Sequence, residues 1–275
     1  MSRLSKRQAS LHAQACALLE KDKLTFDDKL FVLDNWQESA THVNSVAGAF
    51  FTPQGLAREL SIEVGGRKIV DLCAGIGALA FAVFHYSATF SGTDKPQITC
   101  VEINPDYVAV GRKILPEATW ICADVLNLPP TVTGFDCAIA NPPFGRIASS
   151  GKSPRYTGSD FEYKVLDIAS DIAKYATFLI IQSSSPFKLS GVQRYEETRT
   201  EKYLAFSKAT NIELTPNCGI DTTISDDGPA WHDVKVVTEI VLADFTKTRT
   251  RRQPETSVED EGPALLPQML LPLAA

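Results

Sequence analysis

Phe135-Asp136-Cys137-Ala138-Ile139-Ala140-Asn141-Pro142-Pro143-Phe144 is an apolar run that stops at an amide and two prolines. A run closed by Pro and followed by Gly and Ser predicts a buried strand that ends abruptly. Its carboxyl end should face a cleft, because open parallel sheets bind ligands outside the carboxyl ends of their strands. Asn141 to Phe144 therefore stand where chemistry would be done.

Those residues suit a planar amine. Asn141 offers a neutral acceptor, Pro142 and Pro143 stiffen the backbone and remove their amide donors, and Phe144 offers an apolar ring. The Asn141 side-chain oxygen and the Pro142 carbonyl can each accept one hydrogen of an exocyclic amine while Phe144 stacks on its ring. An aromatic amine is a weak nucleophile because its lone pair is conjugated into the ring. Drawing its hydrogens out of plane localises that pair and aims it at an electrophile. A plain turn uses the same residue types, so the surrounding chain has to decide.

Upstream, Lys68-Ile69-Val70-Asp71-Leu72-Cys73-Ala74-Gly75-Ile76-Gly77-Ala78-Leu79-Ala80 predicts a strand, a glycine turn and a helix start. Gly75, Gly77 and Ala80 fit the Gly-x-Gly-x-x-Gly/Ala spacing that several nucleotides use. Asp71 discriminates among them. A carboxylate at the strand's end repels a pyrophosphate and welcomes a cationic amino group, which favours S-adenosylmethionine over a dinucleotide. A second unit, Ile98 to Glu102, places Glu102 to reach ribose hydroxyls or to cap the helix from Pro105. A third, Thr119 to Leu126, ends in Asp124, an acceptor for an adenine amino group. Successive carboxylates at strand ends match a ligand that presents an ammonium, a diol and an amine. Ahead of them, Phe51-Thr52-Pro53 predicts a helix start with Thr52 as N-cap, either a seat for a carboxylate or simply a well-capped helix.

Taken in order, Phe51-Thr52-Pro53, Asp71 to Ala80, Glu102, Asp124 and Asn141 to Phe144 resemble the motifs of class I S-adenosylmethionine-dependent amino-methyltransferases of the N6-adenine type. The resemblance is close over residues 43–145 and looser to 246. It implies a Rossmann-like α/β fold, mainly parallel with an antiparallel closing strand. It also implies that Thr52 and Asp71 hold the methionine part of S-adenosyl-L-methionine, Glu102 the ribose and Asp124 the adenine. Phe51, Ala74, Gly75, Gly77, Ile103, Val125 and Asn141 complete the expected cofactor shell, and Asn141, Pro142, Pro143 and Phe144 the catalytic set. The implied substrate is the N6 amine of adenine in DNA. Small ribosomal-RNA adenine methyltransferases share the Asn-Pro-Pro-Phe-Gly end, and glutamine methyltransferases a similar tetrapeptide. A cofactor-binding module without catalysis is the alternative from another class, whereas a nicotinamide dehydrogenase leaves Asn141 to Phe144 without a role. No separate target-recognition block stands out, so specificity is expected to be short, relaxed or supplied by a protein partner.

The remainder sets bounds. A net charge of -6 and a pI near 5.3 argue against coating nucleic acid by bulk electrostatics, though local basic patches remain open. The six cysteines show no metal-ligand spacing, and Cys100, Cys122 and Cys137 read as small buried hydrophobes of a reducing compartment. With no signal peptide and no membrane-length apolar run, a cytoplasmic, membrane-free protein without a metal is expected. Residues 1–42 predict a helical extension, either a cap over the sheet or a basic arm; 43–246 form the catalytic domain; 247–275 predict a disordered tail whose basic half is free to touch phosphate. The loop from Arg146 to Ser159, with Lys152 and Arg155, and the segment Ser183 to Arg199, with Lys188 and Arg194, are the candidate nucleic-acid contacts. A helix is expected over Asp160 to Tyr175, a buried strand over Thr177 to Gln182, and closing strands over 211–217 and 234–245.

Overall fold

The computed structural model describes residues 5–37, 50–87, 94–144, 151–224 and 236–252, with side chains through 249. Two capped helices open the chain. α1 (Lys6–Leu19) starts at Ser5, whose hydroxyl accepts from the Gln8 N–H while the Gln8 side chain accepts from Ser5, and α2 (Phe26–Asn35) repeats the device with Thr25 and Asp28. After α3 (Gln54–Ser61) come β1 (Lys68–Leu72), α4 (Ala78–Tyr86), β2 (Gln97–Glu102), α5 (Pro105–Ile114), β3 (Thr119–Cys122) and β4 (Phe135–Ala140). α6 (Phe161–Ile172), β5 (Ala173–Ile181), a hairpin of β6 (Phe187–Lys188) and β7 (Glu196–Glu197), α7 (Glu201–Thr210), β8 (Thr215–Pro216), β9 (Thr238–Asp244) and α8 (Phe245–Arg252) follow.

The sheet runs β3-β2-β1-β4-β5-β9-β8. β1 to β5 are mutually parallel, and β9 runs against both β5 and β8. Strand alternation divides the core. Ile69, Cys137, Ile139 and Leu179 face α3 and α4, packing with Leu56, Leu60, Leu79 and Val83. Val70, Leu72, Ala138, Phe178 and Ile180 face the other way, onto Val165 and Leu166 of α6 and Phe206 of α7. Phe178 is 0% exposed at the centre of β5, opposite Ala140 and Val241. Phe178→Ala is expected to cost about 3–5 kcal/mol in urea unfolding; a loss under about 1 kcal/mol would contradict this packing.

Five expectations are corrected. Cys122, expected to be buried, is exposed at the end of β3, unlike the buried Cys100 and Cys137. The N-terminal helices do not cover the sheet: Ala15, Val32, Leu33 and Trp36 pack on Phe81 of α4 and on Tyr107, Val110 and Ile114 of α5. The helix expected to reach Tyr175 ends at Ile172, because Ala173 pairs with Phe135 of β4 and Tyr175 with Asp244 of β9, drawing the segment into the sheet. Of the strand expected over 211–217 only Thr215–Pro216 pairs, since Asn211, at φ 55, ends α7 immediately before it and Pro216 brings no amide donor. The tail does not begin at 247. Phe245 is 0% exposed and starts α8, whose Arg249 donates to the Ser170 and Ala173 carbonyls at the end of α6. Asp244 pairs with Tyr175, near the start of β5, so α8 sits at the sheet edge away from the carboxyl ends of β1 and β4. Residues 253–275 lie outside the described residues.

Candidate active site

The register sets Leu72 beside both Val101 and Ala140, so the residues that follow β1, β2 and β4 leave the sheet at one edge. After β1 the chain reverses through Cys73 at φ 62, Gly75 at φ 57 and Gly77 at φ 94. The left-handed region is costly for a residue with a Cβ, and a Cβ on Gly75 would also lie 3.1 Å from the Phe51 ring. Phe51 is held over the turn by Trp36 at 5.6 Å and Tyr107 at 5.0 Å between ring centroids. The N-terminal helices thus reach the site through Trp36.

Two acids are fixed by this turn. Glu102 is 8% exposed, and its carboxylate accepts from the Gly75 and Asn104 N–H groups at 2.9 Å each. Burial pushes its pKa up against the pull of those amides. Asp71 is fully buried in β1. Its Oδ2 accepts from the Ala80 N–H at 3.1 Å, standing in for the side-chain cap that α4 lacks at Gly77. Its Oδ1 is buried and has no hydrogen-bond partner among the described residues. Burial raises the Asp71 pKa well above the usual carboxylate range, and the Glu102 charge adds to the rise.

Asn141 presents the same pattern. Its Nδ2 donates to the Phe50 carbonyl at 2.8 Å and to Thr52 Oγ1 at 3.0 Å, while its Oδ1 is buried without a partner among the described residues. Thr52 is therefore not the N-cap expected of it: Pro53 occupies that position and α3 has no side-chain cap. The hydroxyl is turned to Asn141 instead. Asp71, Asn141 and Thr52 line one cavity with Phe50, Phe51, Ala74 and Gly75. At about 20 Å³ it holds roughly one water, so a larger ligand requires the rim to open. Pro142 is buried, Pro143 partly so, and the Phe144 ring lies 6.5 Å from that of Phe50.

Further along the edge, Asp124 Oδ1 accepts from the Leu126 N–H at 2.9 Å and starts the 3-10 turn Val125–Asn127. The Val125 side chain is core, at 4% exposed, whereas Ile103 projects from the strand's end at 64%. Sequence reading missed the Phe50 carbonyl, the Ala80 amide and the cavity-lining Cys73. Main-chain groups carry no letter, and only the place of Phe50 beside Phe51-Thr52-Pro53 hinted at the first.

The expected nucleic-acid contacts divide. Arg146 lies outside the described residues. Arg155 is a correction: its guanidinium pairs with Asp167 at 2.9 Å and with Asp171, and Asp167 also accepts the Arg155 and Tyr156 N–H groups. Those contacts pin the loop to α6 and neutralise the charge. Tyr156 and Ser153 are buried, and a Cβ on Gly151 would strike Leu126, so these three residues anchor the segment while Lys152, Pro154, Thr157 and Ser159 stay exposed. Lys152 and Arg194 are exposed, and Lys188 lies 3.7 Å from Glu196 across the hairpin.

A larger groove, about 620 Å³, lies at the opposite edge among Arg67, Asp136, Lys174 and Tyr175. Asp136 there accepts from Lys174 Nζ at 2.8 Å and from the Arg67 and Lys68 N–H groups, with its pKa pulled down to about 2, chiefly by Lys174. Size alone therefore does not mark the site, because neither of the orphaned acceptors Asp71 Oδ1 and Asn141 Oδ1 belongs to that groove. Among the described residues no cluster of three or more His, Cys, Asp or Glu side chains could hold a metal, and no helix is long and apolar enough to cross a membrane.

Strand order and directions define a Rossmann-like class I methyltransferase fold, mainly parallel with β9 reversed. No family model and no curated protein sequence matches the chain. Among solved structures it is similar to a Listeria monocytogenes protein assigned to the class I S-adenosylmethionine-dependent methyltransferases, with a TM-score of 0.53 and 14% identity over 88% of this chain and 75% of that one. It is also similar to the methyltransferase subunit of a type I restriction-modification system from Streptococcus thermophilus, with a TM-score of 0.51, 17% identity and 78% of this chain covered. The chain spans about half of that subunit, 49%. At such identities the likeness is one of fold.

Proposed function

We propose that this chain is an S-adenosylmethionine-dependent methyltransferase acting on the N6 amine of adenine in nucleic acid, with DNA as the substrate. The observation that carries the reading is that Asp71 and Asn141 line one cavity at the carboxyl edge and that the Oδ1 of each is buried without a partner among the described residues. Orphaned buried acceptors are costly, and a ligand's donors would satisfy them. One is an acid suited to an ammonium, the other a neutral amide suited to an amine.

When bound, the cofactor supplies an electrophilic methyl group on a sulfonium. Asp71 and Thr52 hold its amino-acid end, Gly75 and Gly77 let it approach the backbone, and Glu102 accepts from the ribose hydroxyls on the lone pairs its two amide bonds leave. Asp124, Ile103 and the Val125 backbone surround the adenine, Phe51 and Ala74 close the near side, and no metal is required. Asn141 Oδ1 and the Pro142 carbonyl accept the hydrogens of the target amine, Pro143 keeps that backbone rigid, and Phe144 stacks on the base. The alkylated amine is acidic and loses its proton to water.

With Arg155 engaged elsewhere, Arg146, Lys152, Lys188 and Arg194 are little material for reading base edges. That supports short or relaxed specificity, or a partner protein that supplies the rest. In a duplex the base must also leave the stack, at a cost of a few kcal/mol that single strands reduce. The test is incubation with radiolabelled S-adenosylmethionine and, separately, duplex DNA, single-stranded DNA, ribosomal RNA and protein extract, followed by digestion and chromatography. Label is expected in N6-methyladenine from DNA. Label only in RNA moves the substrate to the ribosomal alternative, and label in protein or nowhere contradicts the reading.

A further inference from the structure

The two ends of an asparagine amide differ in what they can do, and its neighbours decide which way round it sits. At Asn141 the choice is forced. The Phe50 carbonyl, 2.8 Å away, can only accept, so Nδ2 must face it and Oδ1 must face away. The second Nδ2 hydrogen goes to Thr52 Oγ1 at 3.0 Å. Thr52 is itself buried at 6% exposed, so water does not compete for that contact. The result is an Oδ1 left unpartnered on the cavity it shares with Asp71. A carboxylate at this position would face the Phe50 carbonyl with no hydrogen to give, which accounts for a neutral amide here.

We propose that Thr52 is a positioning residue for Asn141: together with the Phe50 carbonyl it locks the amide with Oδ1 toward the cavity, so that the segment before α3 sets the group that orients the target amine. This rests on the methyltransferase reading of the site and adds to the part of Thr52 in holding the cofactor. Accepting from Asn141 leaves the Thr52 hydroxyl hydrogen free to be donated to a ligand carboxylate. A donation of that kind polarises the hydroxyl and strengthens the bond it accepts, so filling the cofactor seat tightens the lock.

Two variants of the full chain separate this role from simple structure. Thr52→Ser keeps the hydroxyl, whereas Thr52→Val keeps the shape and removes the acceptor. In the free protein, hydrogen exchange of the Asn141 side-chain amide, followed by NMR after ¹⁵N-asparagine labelling, should be about tenfold faster in Thr52→Val than in Thr52→Ser or wild type. Single-turnover transfer to DNA at saturating S-adenosylmethionine should fall about 10- to 100-fold in Thr52→Val and stay within about threefold of wild type in Thr52→Ser. Equal exchange in the two variants overturns the proposal, and so does equal turnover at saturating cofactor. Should the wild type methylate nothing, the enzymatic reading falls while the exchange comparison still decides the lock.

Discussion

Asn141→Ala is expected to lower methyl transfer by about 10²–10³-fold at saturating cofactor while cofactor affinity stays within about threefold. The truncation removes a buried neutral acceptor that has no partner among the described residues, and with it the geometry that localises the amine's lone pair. Cofactor affinity is spared because Asp71 keeps its bond from Ala80 and Glu102 its bonds from Gly75 and Asn104. Side-chain bonds to Phe50 and Thr52 are lost, so a modest drop in stability accompanies the change. Calorimetric titration with S-adenosylhomocysteine beside single-turnover kinetics makes the comparison; loss of both to the same degree would contradict the assigned role.

Asp71→Asn should weaken cofactor binding by about 100-fold or more, because a buried ammonium would lose the acidic counter-charge that Asp71 brings to the cavity. The same change should stabilise the free protein at neutral and alkaline pH. Asp71 is an acid whose folded-state pKa is raised, by burial first and the Glu102 charge after. Its contribution to stability is therefore complete below the ordinary carboxylate pKa and is lost as pH rises through the raised one. A cationic ligand reverses the preference by favouring the carboxylate, so cofactor affinity in the wild type should grow with pH across that window and uptake should release a proton. Titrations in buffers of different ionisation enthalpy measure that proton. Unchanged affinity in Asp71→Asn, or no proton release below the raised pKa, would count against the role.

Most of the α/β frame was legible, for physical reasons that can be named. The central parts of β1 and β4 are apolar because both faces of a central parallel strand are covered, and Asp71 and Asn141 stand out as polar residues at or just beyond their carboxyl ends. Boundaries were less legible where distant partners set them. Ala173 to Tyr175 continue a helical period on paper, but β4 and β9 claim their backbone. Arg155 reads as a loop cation, yet Asp167 lies 12 residues on, and only the face of α6 brings the two together. In the segment after Asp244, basic composition pointed to solvent, while Phe245 and Thr248 are buried and Arg249 closes the end of α6. The lock on Asn141 was hidden for another reason: one of its two acceptors is a main-chain carbonyl, supplied from 91 residues away.

A crystal structure of the protein with S-adenosylhomocysteine bound tests the roles of Asp71 and Asn141 most directly. In that complex the rim of the small cavity should have opened, the ligand's ammonium should sit about 3 Å from Asp71 Oδ1, and a slot wide enough for a flat base should run from the ligand's sulfur to Asn141 Oδ1. A ligand seated elsewhere, or an Asn141 Oδ1 still walled off by the protein's own side chains with the ligand in place, would contradict those roles.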